Sequence, residues 1–322
     1  MKADSPPRRN LAQISCEGEA LVAQLDEAFG EIESGDAHSA IETLVVSLNR
    51  LRSSLPDGAW IGAISLCRAH PIFRLLHRDP LTRRSYERPR GYPGDAVMLD
   101  MIYDHEAHGS SLAGPGRAVF QYTAGNGRSP KAVRNRRAFI GGMIDEICLH
   151  KKQARILSIA GGHLREAELS GALAERRIAD WVAIDQDARS VDECRRRFAG
   201  LPIRPLRGSV RDLLAGRIAV GTFDFVYAAG LFDYLSDSIA KALVSTMASL
   251  LAPGGKLLLA NFAHSHVDSA YMEAFMDWRL IYRTEEDMQR LLTAPGDHRF
   301  IAAAQFADQW NAILYAIGER AS

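Results

Sequence analysis

The sequence predicts an α/β fold: a Rossmann-like, doubly wound sheet of seven strands, behind an N-terminal helical segment. Five apolar runs of strand length alternate with helical patterns after residue 150, which is typical of a parallel sheet. The first run ends in Gly161 and Gly162, as strands do where a nucleotide binds. The last two runs, 299–306 and 310–317, are too close together for a helical crossover, so we expect this last strand pair to be antiparallel.

The turn after the first strand is the first candidate ligand site. Residues 154–159 form the strand, and Ala160, Gly161, Gly162 and His163 follow it before a helix begins. Glycine lets a ligand approach the backbone, and the first turn of the helix offers unpaired N–H groups. Two glycines also occur in ordinary βα turns, so the interpretation depends on the strands that follow.

The next two strands supply polar residues at suitable positions. Residues 179–185 form an apolar strand ending in Asp185, about 20 residues after the glycine turn, where an acid reaches the two hydroxyls of a bound ribose. Gln186 follows it directly. The third strand, around 203–206, leads to Ser209 and Val210, which we expect beside an adenine.

The fourth and fifth strands complete the parallel part of the sheet. Residues 223–229 read as a buried strand, and 230–235 leave its carboxyl end, where doubly wound sheets bind their ligands. A helix over 239–251 is predicted to close at Pro253-Gly-Gly255, before the strand 256–262.

The first 149 residues contain no further β/α units, so we predict a helical cap or lid domain over 1–149 and the sheet domain over 150–322. Apolar residues recur at helical spacing over 21–32 and again over 41–55. The two stretches predict an antiparallel helical pair.

Two more helices are predicted in the first domain, with a long loop between them. One begins near residue 61; the other runs from Ser129, its expected cap, through Pro130 in the first turn to about 149. The stretch 70–126 is rich in Pro, Gly, Tyr and Arg, and we expect it to be a lid or binding loop.

Within that loop, residues 88–96 contain two prolines and two glycines, which fix a turn. Such a turn would display Arg90, Tyr92 and Asp95 in a defined geometry. A purely structural turn that docks the helical domain is an equal alternative.

Composition excludes several classes of protein. The chain has 39 basic and 39 acidic side chains, so it has no global attraction for nucleic acid or anionic membranes. Arginines do cluster locally at 83–88 and 134–137, so an RNA substrate is disfavoured rather than excluded. No apolar stretch reaches about 18 residues, and the first ten are polar, so we expect neither a signal peptide nor a membrane span, and a cytoplasmic protein. The four cysteines have no Cys-x-x-Cys spacing, so no metal site is predicted. The oligomeric state stays open.

The order of these signals resembles the class I S-adenosylmethionine (SAM) dependent methyltransferase fold over residues 150–320. Two departures from the family's pattern matter. The usual Gly-x-Gly-x-Gly is reduced at 160–164, and the acid often found in the first strand is Ser158. Leu164 argues against a dinucleotide, whose pyrophosphate needs a third glycine, so NAD is only a minor alternative to SAM.

Four longer motifs, 90–96, 157–166, 230–237 and 277–285, resemble a bacterial subfamily named for 3-hydroxypalmitic acid methyl ester biosynthesis. The helical lid also resembles that of azetidine-2-carboxylate synthases, in which the amino group of SAM attacks its own γ-carbon. The stretch 86–128 is polar, glycine-rich and aromatic, which fits a small polar ligand better than a long acyl chain.

The resemblance implies a SAM-dependent transferase of small-molecule or secondary metabolism that methylates a carboxylate or amine. The alternatives are cyclisation of SAM with release of methylthioadenosine, and a non-catalytic SAM-binding module. Tyrosine faces suit the sulfonium, a carboxylate the ammonium and an arginine the carboxylate of SAM. The predicted catalytic residues are Tyr92, Asp95, Asn135, Asp233 and Tyr234. The predicted cofactor-binding residues are Arg90, Tyr122, Arg134, Ala160, Gly161, Gly162, His163, Asp185, Gln186, Ser209, Val210, Gly230 and Leu231.

Overall fold

A computed structural model describes residues 11–265, 268–293 and 300–321, with side chains from residue 18 onward. The helices in chain order are α1 (Leu11–Ser34), α2 (Ala37–Ser54), α3 (Asp57–Ala69), α4 (Ile72–Leu76), α5 (Pro80–Glu87), α6 (Ala96–Tyr103), α7 (His105–Gly109), α8 (Gly114–Phe120), α9 (Arg128–His150), α10 (Gly171–Ala174), α11 (Ala188–Arg197), α12 (Val210–Leu214), α13 (Asp237–Ser249), α14 (Ser269–Phe275) and α15 (Glu285–Leu292). The strands are β1 (Ala154–Ile159), β2 (Ile178–Asp185), β3 (Ile203–Arg207), β4 (Phe223–Ala228), β5 (Leu251–Phe262), β6 (Phe300–Ala307) and β7 (Ile313–Arg320).

The seven strands form one sheet in the order β3-β2-β1-β4-β5-β7-β6. The strands β1 to β5 pair in parallel, whereas β7 pairs antiparallel with both β5 and β6. The predicted fold and its antiparallel last pair are therefore confirmed. The order reverses direction between β1 and β4, and in doubly wound sheets ligands bind beside such a reversal.

The chain divides into two compact units that interleave along the sequence. The helical unit contains the described residues within 1–94, 104–127 and 267–279, and the sheet unit contains those within 95–103, 128–266 and 280–322. The single predicted boundary at residue 149 differs from this division, since α6 and α9 belong to the sheet unit.

The sheet unit packs its helices against apolar strands. Every residue of β4 is buried, as expected for a central parallel strand covered on both faces. The helices α12, α13 and α15 bury their apolar side chains in one core against the sheet, and α9 packs against β4 and β7. This core holds the carboxyl ends of β1, β2 and β4 in place.

The helical unit contains the predicted antiparallel pair, α1 and α2, which pack on each other. The predicted long loop over 70–126 is wrong, because most of that stretch is helical. Proline indicates a loop in many sequences, but Pro80 and Pro115 lie in the first turns of α5 and α8, where a missing N–H is tolerated. The turn at 88–95 is confirmed as non-helical.

Three element boundaries also need correction. Ser129 does not cap α9, because the helix already begins at Arg128. Helix α13 ends at Ser249, before the predicted 251. Pro253-Gly-Gly255 lies inside β5, where the pairing with β4 shifts register between Phe223 and Phe225.

Candidate functional site

The turn after β1 is built from left-handed backbone. Ala160, Gly162 and Leu164 have φ of 55°, 56° and 52°, a conformation that only glycine adopts without strain. The Gly161 N–H donates to the Ile184 carbonyl oxygen at 3.1 Å, which ties the turn to the end of β2. The pattern Ala-Gly-Gly-His-Leu therefore makes the tight turn even with fewer glycines than the usual motif.

Asp185, at the end of β2, holds this turn through its carboxylate. Oδ2 accepts the Gly162 N–H at 2.8 Å, and Oδ1 accepts the Asp187 N–H at 2.8 Å. Burial raises the pKa of Asp185, although these two N–H groups favour the ionised form. Each carboxylate oxygen accepts two hydrogen bonds, so each keeps one lone pair for a further donor.

Helix α6 packs against the same turn. A Cβ at Gly162 would lie 3.2 Å from the Ala96 Cβ, so a side chain here would crowd the helix. Asp95 is 2% exposed, and its Oδ1 accepts the Met98 N–H at 3.0 Å in the first turn of α6. The predicted catalytic Asp95 thus also has a structural contact.

His163 lies on the α6 side of the turn, where the Asp100 carboxylate contacts both His163 and Arg165. Asp100 accepts from His163 Nδ1 at 2.7 Å and from Arg165 Nε and Nη2 at 2.8 Å each. Burial favours the neutral acid, but the Arg165 and His163 hydrogen bonds outweigh it and lower the pKa of Asp100 to about 2. No sequence pattern points to Asp100, which lies 65 positions before Arg165.

Ser209 forms the start of α12 after β3. Its side chain accepts the Asp212 N–H, and the Asp212 carboxylate accepts the Ser209 N–H at 2.9 Å, which is a complete capping box. Val210 is the first residue of that helix. Both residues therefore lie at the predicted sheet edge, and Ser209 is already engaged with the backbone.

The turn after β4 contains Gly230, Leu231 and a short 3-10 segment, Phe232–Tyr234. The Phe262 N–H donates to Asp233 Oδ1 at 2.7 Å. Burial raises the pKa of Asp233 to about 6, although that N–H and the Arg136 and Arg283 charges favour the ionised form. Tyr234, beside it, is 41% exposed.

Arg283 holds this turn from inside the protein. It is 1% exposed, and its guanidinium donates to the carbonyl oxygens of Phe232 at 2.6 Å and Leu235 at 2.7 Å. It also donates to Asn261 Oδ1 at 2.6 Å and Asp237 Oδ1 at 3.2 Å. The turn is thus fixed by a residue from the motif 277–285.

Sequence reasoning missed Arg136, which lies in α9 and is 3% exposed. The sequence-based prediction names its neighbours Arg134 and Asn135 instead. Helical spacing places Arg136 on the apolar face of α9, with the buried Ala132, Ile140 and Met143. An arginine at an apolar position of this helix was the available signal.

The predicted site residues divide between the two units. The sheet unit contains Asp95, Arg134, Asn135, Ala160, Gly161, Gly162, His163, Asp185, Gln186, Ser209, Val210, Gly230, Leu231, Asp233 and Tyr234. The helical unit contains Arg90, Tyr92 and Tyr122. Within the sheet unit, the turns that follow β1, β2, β3 and β4 share one sheet edge, since parallel strands end together.

Among the described residues, no group of three or more His, Cys, Asp or Glu side chains is arranged to hold a metal ion. No helix in the described ranges has the length and hydrophobicity to cross a membrane.

Residues 156–255 match a family model described as a methyltransferase domain. No curated protein matches the chain. A solved structure described as a possible exported protein from Bordetella parapertussis covers 99% of this chain and 100% of its own, with a TM-score of 0.58 and 15% identity. A magnesium protoporphyrin IX methyltransferase from Synechocystis PCC 6803, crystallised with SAM, covers 70% of this chain and 96% of its own, with a TM-score of 0.43 and 14% identity. The N-methyltransferase NodS from Bradyrhizobium japonicum WM9 covers 58% and 98%, with a TM-score of 0.41 and 14% identity.

The sheet order and the family match together identify the fold of the sheet unit as the class I SAM-dependent methyltransferase fold. They indicate S-adenosylmethionine as its cofactor.

Proposed function

We propose that this chain is a SAM-dependent methyltransferase whose acceptor is a small molecule with a carboxylate or amine nucleophile. The observation that carries the proposal is the link between the glycine turn and Asp185, with Gly162 N and Asp185 Oδ2 2.8 Å apart. This link brings an acid to the carboxyl end of β2, beside the β1 turn, where an adenosine ligand requires one.

The remaining lone pairs of Asp185 suit the two ribose hydroxyls, which are hydrogen-bond donors. The carboxylate is only 8% exposed, so its hydrogen bonds to a ligand would be little weakened by water. In this proposal Gly161, Gly162 and His163 contact the cofactor through the backbone, and so do Gly230 and Leu231. The remaining predicted residues, Gln186, Ser209 and Val210, belong to the adenosine end.

Methyl transfer needs the acceptor aligned with the methyl–sulfur bond, so positioning supplies most of the rate. A carboxylate acceptor needs no base, whereas an amine must first lose a proton. Asp233 has the environment of a base for an amine, because burial brings its pKa to about 6. Tyr234, the next residue, and Asn135 are candidates for orienting the acceptor. The predictions for ligand contact also include Arg90, Tyr92, Tyr122, Arg134 and Asp95.

The first test is a calorimetric titration of the purified protein with SAM. We expect micromolar or tighter binding, and weakening by about tenfold or more in Asp185→Asn, since charged hydrogen bonds contribute about 1.5–3 kcal/mol each. Asp180→Asn is the matched control: Asp180 lies at the other end of β2 and pairs with Arg204 at 3.0 Å. Absence of SAM binding in the wild type, or equal loss in both variants, would refute the assignment.

A second experiment identifies the reaction by product analysis. The protein is incubated first with SAM alone and then with panels of small carboxylates and amines. Release of S-adenosylhomocysteine that depends on an added acceptor supports methyl transfer. Methylthioadenosine formed without an acceptor would replace it with intramolecular cyclisation, and tight binding without any product would indicate a non-catalytic SAM-binding module.

A further inference from the structure

Arg136 lies against the turn after β4. If Gly230 carried a Cβ, that atom would lie 3.4 Å from Arg136 Nη2 and 3.5 Å from Nη1. The guanidinium thus faces Gly230 at an ordinary van der Waals separation. The contact places the charge of Arg136 at the carboxyl end of β4, where ligands bind in this class of sheet.

No carboxylate of the described residues lies within ion-pair distance of Arg136. The neighbouring Arg137, by contrast, pairs with Glu168 at 2.9 Å, and the other buried arginine of the sheet unit, Arg283, pairs with Asp237 at 3.2 Å. Arg136 interacts with the Tyr103 hydroxyl, which is neutral. A guanidinium that is 97% buried without a carboxylate is unfavourable unless a partner arrives.

The two buried acids that interact electrostatically with Arg136 are hydrogen-bonded to other groups. Glu166 accepts the Tyr227 hydroxyl at 2.5 Å, and Asp233 accepts the Phe262 N–H at 2.7 Å. Both influence Arg136 only through space, and burial raises the pKa of each. The guanidinium therefore has no carboxylate partner among the described residues, and its planar fork of N–H groups would match the carboxylate of a ligand.

We propose that Arg136 binds the carboxylate of a ligand at the carboxyl end of β4. The carboxylate comes either from the methionyl part of the cofactor or from the acceptor, and the inference rests on the proposed function of the same site. Arg136 would then be a binding residue that fixes one end of the ligand beside the turn that contains Gly230.

The test compares wild type, Arg136→Gln and Arg136→Lys with two nucleosides, S-adenosylhomocysteine and 5′-methylthioadenosine. The second lacks the amino acid part and so has no carboxylate. If the cofactor supplies the carboxylate, Arg136→Gln weakens the binding of S-adenosylhomocysteine by about tenfold or more and leaves the affinity for methylthioadenosine unchanged. Arg136→Lys retains the charge and recovers part of the affinity. Arg137→Gln, one residue along α9, is the control and should change neither.

A third arm addresses the acceptor as the source. Thermal stabilisation by acetate and benzoate is measured with and without S-adenosylhomocysteine. If the acceptor supplies the carboxylate, Arg136→Gln abolishes this stabilisation and leaves both nucleoside affinities unchanged. The proposal is overturned if Arg136→Gln weakens the binding of both nucleosides equally. It is also overturned if the substitution changes neither the nucleoside affinities nor the stabilisation by carboxylates. Failure of the wild type to bind either nucleoside would instead refute the SAM-binding function, while the carboxylate arm still tests Arg136.

Discussion

The turns after β1 and β4 lie at the same sheet edge but differ in how their charges are balanced. At the β1 turn, the Asp185 carboxylate accepts two backbone N–H groups, and Asp100 accepts three donors from His163 and Arg165. At the β4 turn, Asp233 is partly neutralised by burial, and no described carboxylate pairs with Arg136. The carboxylates at the β1 turn thus have hydrogen-bond partners within the protein, whereas Arg136 at the β4 turn has no carboxylate partner among the described residues.

This difference suggests a division of roles. A fully paired turn is pre-organised, so a cofactor that binds there does not have to order it. A turn with an unpaired buried cation gains most when a ligand supplies the missing charge. We therefore expect the β1 turn to set the position of the nucleoside and the β4 turn to select the charged end of the ligand.

The largest expected effect comes from the arginine that holds the β4 turn. Arg283→Met leaves the carbonyl oxygens of Phe232 and Leu235 without their buried donor, and we expect the free energy of unfolding to fall by about 3–5 kcal/mol. Chemical denaturation of the purified variant measures this change.

Arg290→Met is the control for that experiment. Arg290 is 58% exposed and pairs with Asp287, so its loss should lower the free energy of unfolding by about 0–1 kcal/mol. A change below about 1 kcal/mol in Arg283→Met as well would mean that the β4 turn does not depend on its buried donor.

The pH dependence of stability that Asp233 causes should also distinguish the two turns. The carboxyl has a folded pKa of about 6 against an ordinary value of 3.8, so the folded state holds its proton where the unfolded state has lost it. The stabilisation is full below about pH 4 and is lost as the pH rises to about 6. Between about pH 4 and about pH 6, we expect the free energy of unfolding of wild type to fall by about 3 kcal/mol relative to that of Asp233→Asn. Urea denaturation from pH 4 to 7 checks it, and a constant difference would contradict a protonated Asp233.

Asp100, beside the β1 turn, should show the opposite sign. Its pKa falls from 3.8 to about 2, so its stabilisation is present above about pH 4 and is lost as the pH falls toward 2. We expect Asp100→Asn to be less stable than wild type by about 2 kcal/mol at pH 7 and pH 5. The gap should narrow at pH 3. A gap that widens in acid would exclude the ion pair with Arg165.

The sequence was sufficient for the parts of this edge that depend on local order. The strand runs, the glycine turn and the position of Asp185 follow from spacing along the chain, and the structure brings Gly162 and Asp185 into contact. A left-handed turn needs only a few residues, so two glycines and the flanking strands indicate it without knowledge of the tertiary structure.

The parts that were missed depend on contacts between distant segments. Asp100 meets His163 across 63 positions, and Arg283 meets Phe232 across 51. No pattern within one helix or strand encodes such a pair. The helices within 70–126 were missed for a different reason: their prolines mark helix starts as well as loops.

The smallest expected effect tests whether the reduced glycine motif leaves strain in the β1 turn. Ala160 is exposed with a φ of 55°, so Ala160→Gly relieves a left-handed conformation that costs about 1–2 kcal/mol. The greater freedom of glycine in the unfolded chain offsets about 0.5–1 kcal/mol of this. We expect a net stabilisation of up to about 1 kcal/mol, measured by chemical denaturation.

Leu164→Gly separates strain from packing, because Leu164 has a similar φ of 52° but is 1% exposed. The same relief of strain is then outweighed by the loss of a buried side chain, which costs about 2–5 kcal/mol. We expect this variant to be destabilised while Ala160→Gly is stabilised. If Ala160→Gly also loses stability, the alanine at the first glycine position is not strained. The backbone of the β1 turn would then be unstrained, and its carboxylates would still be hydrogen-bonded within the protein.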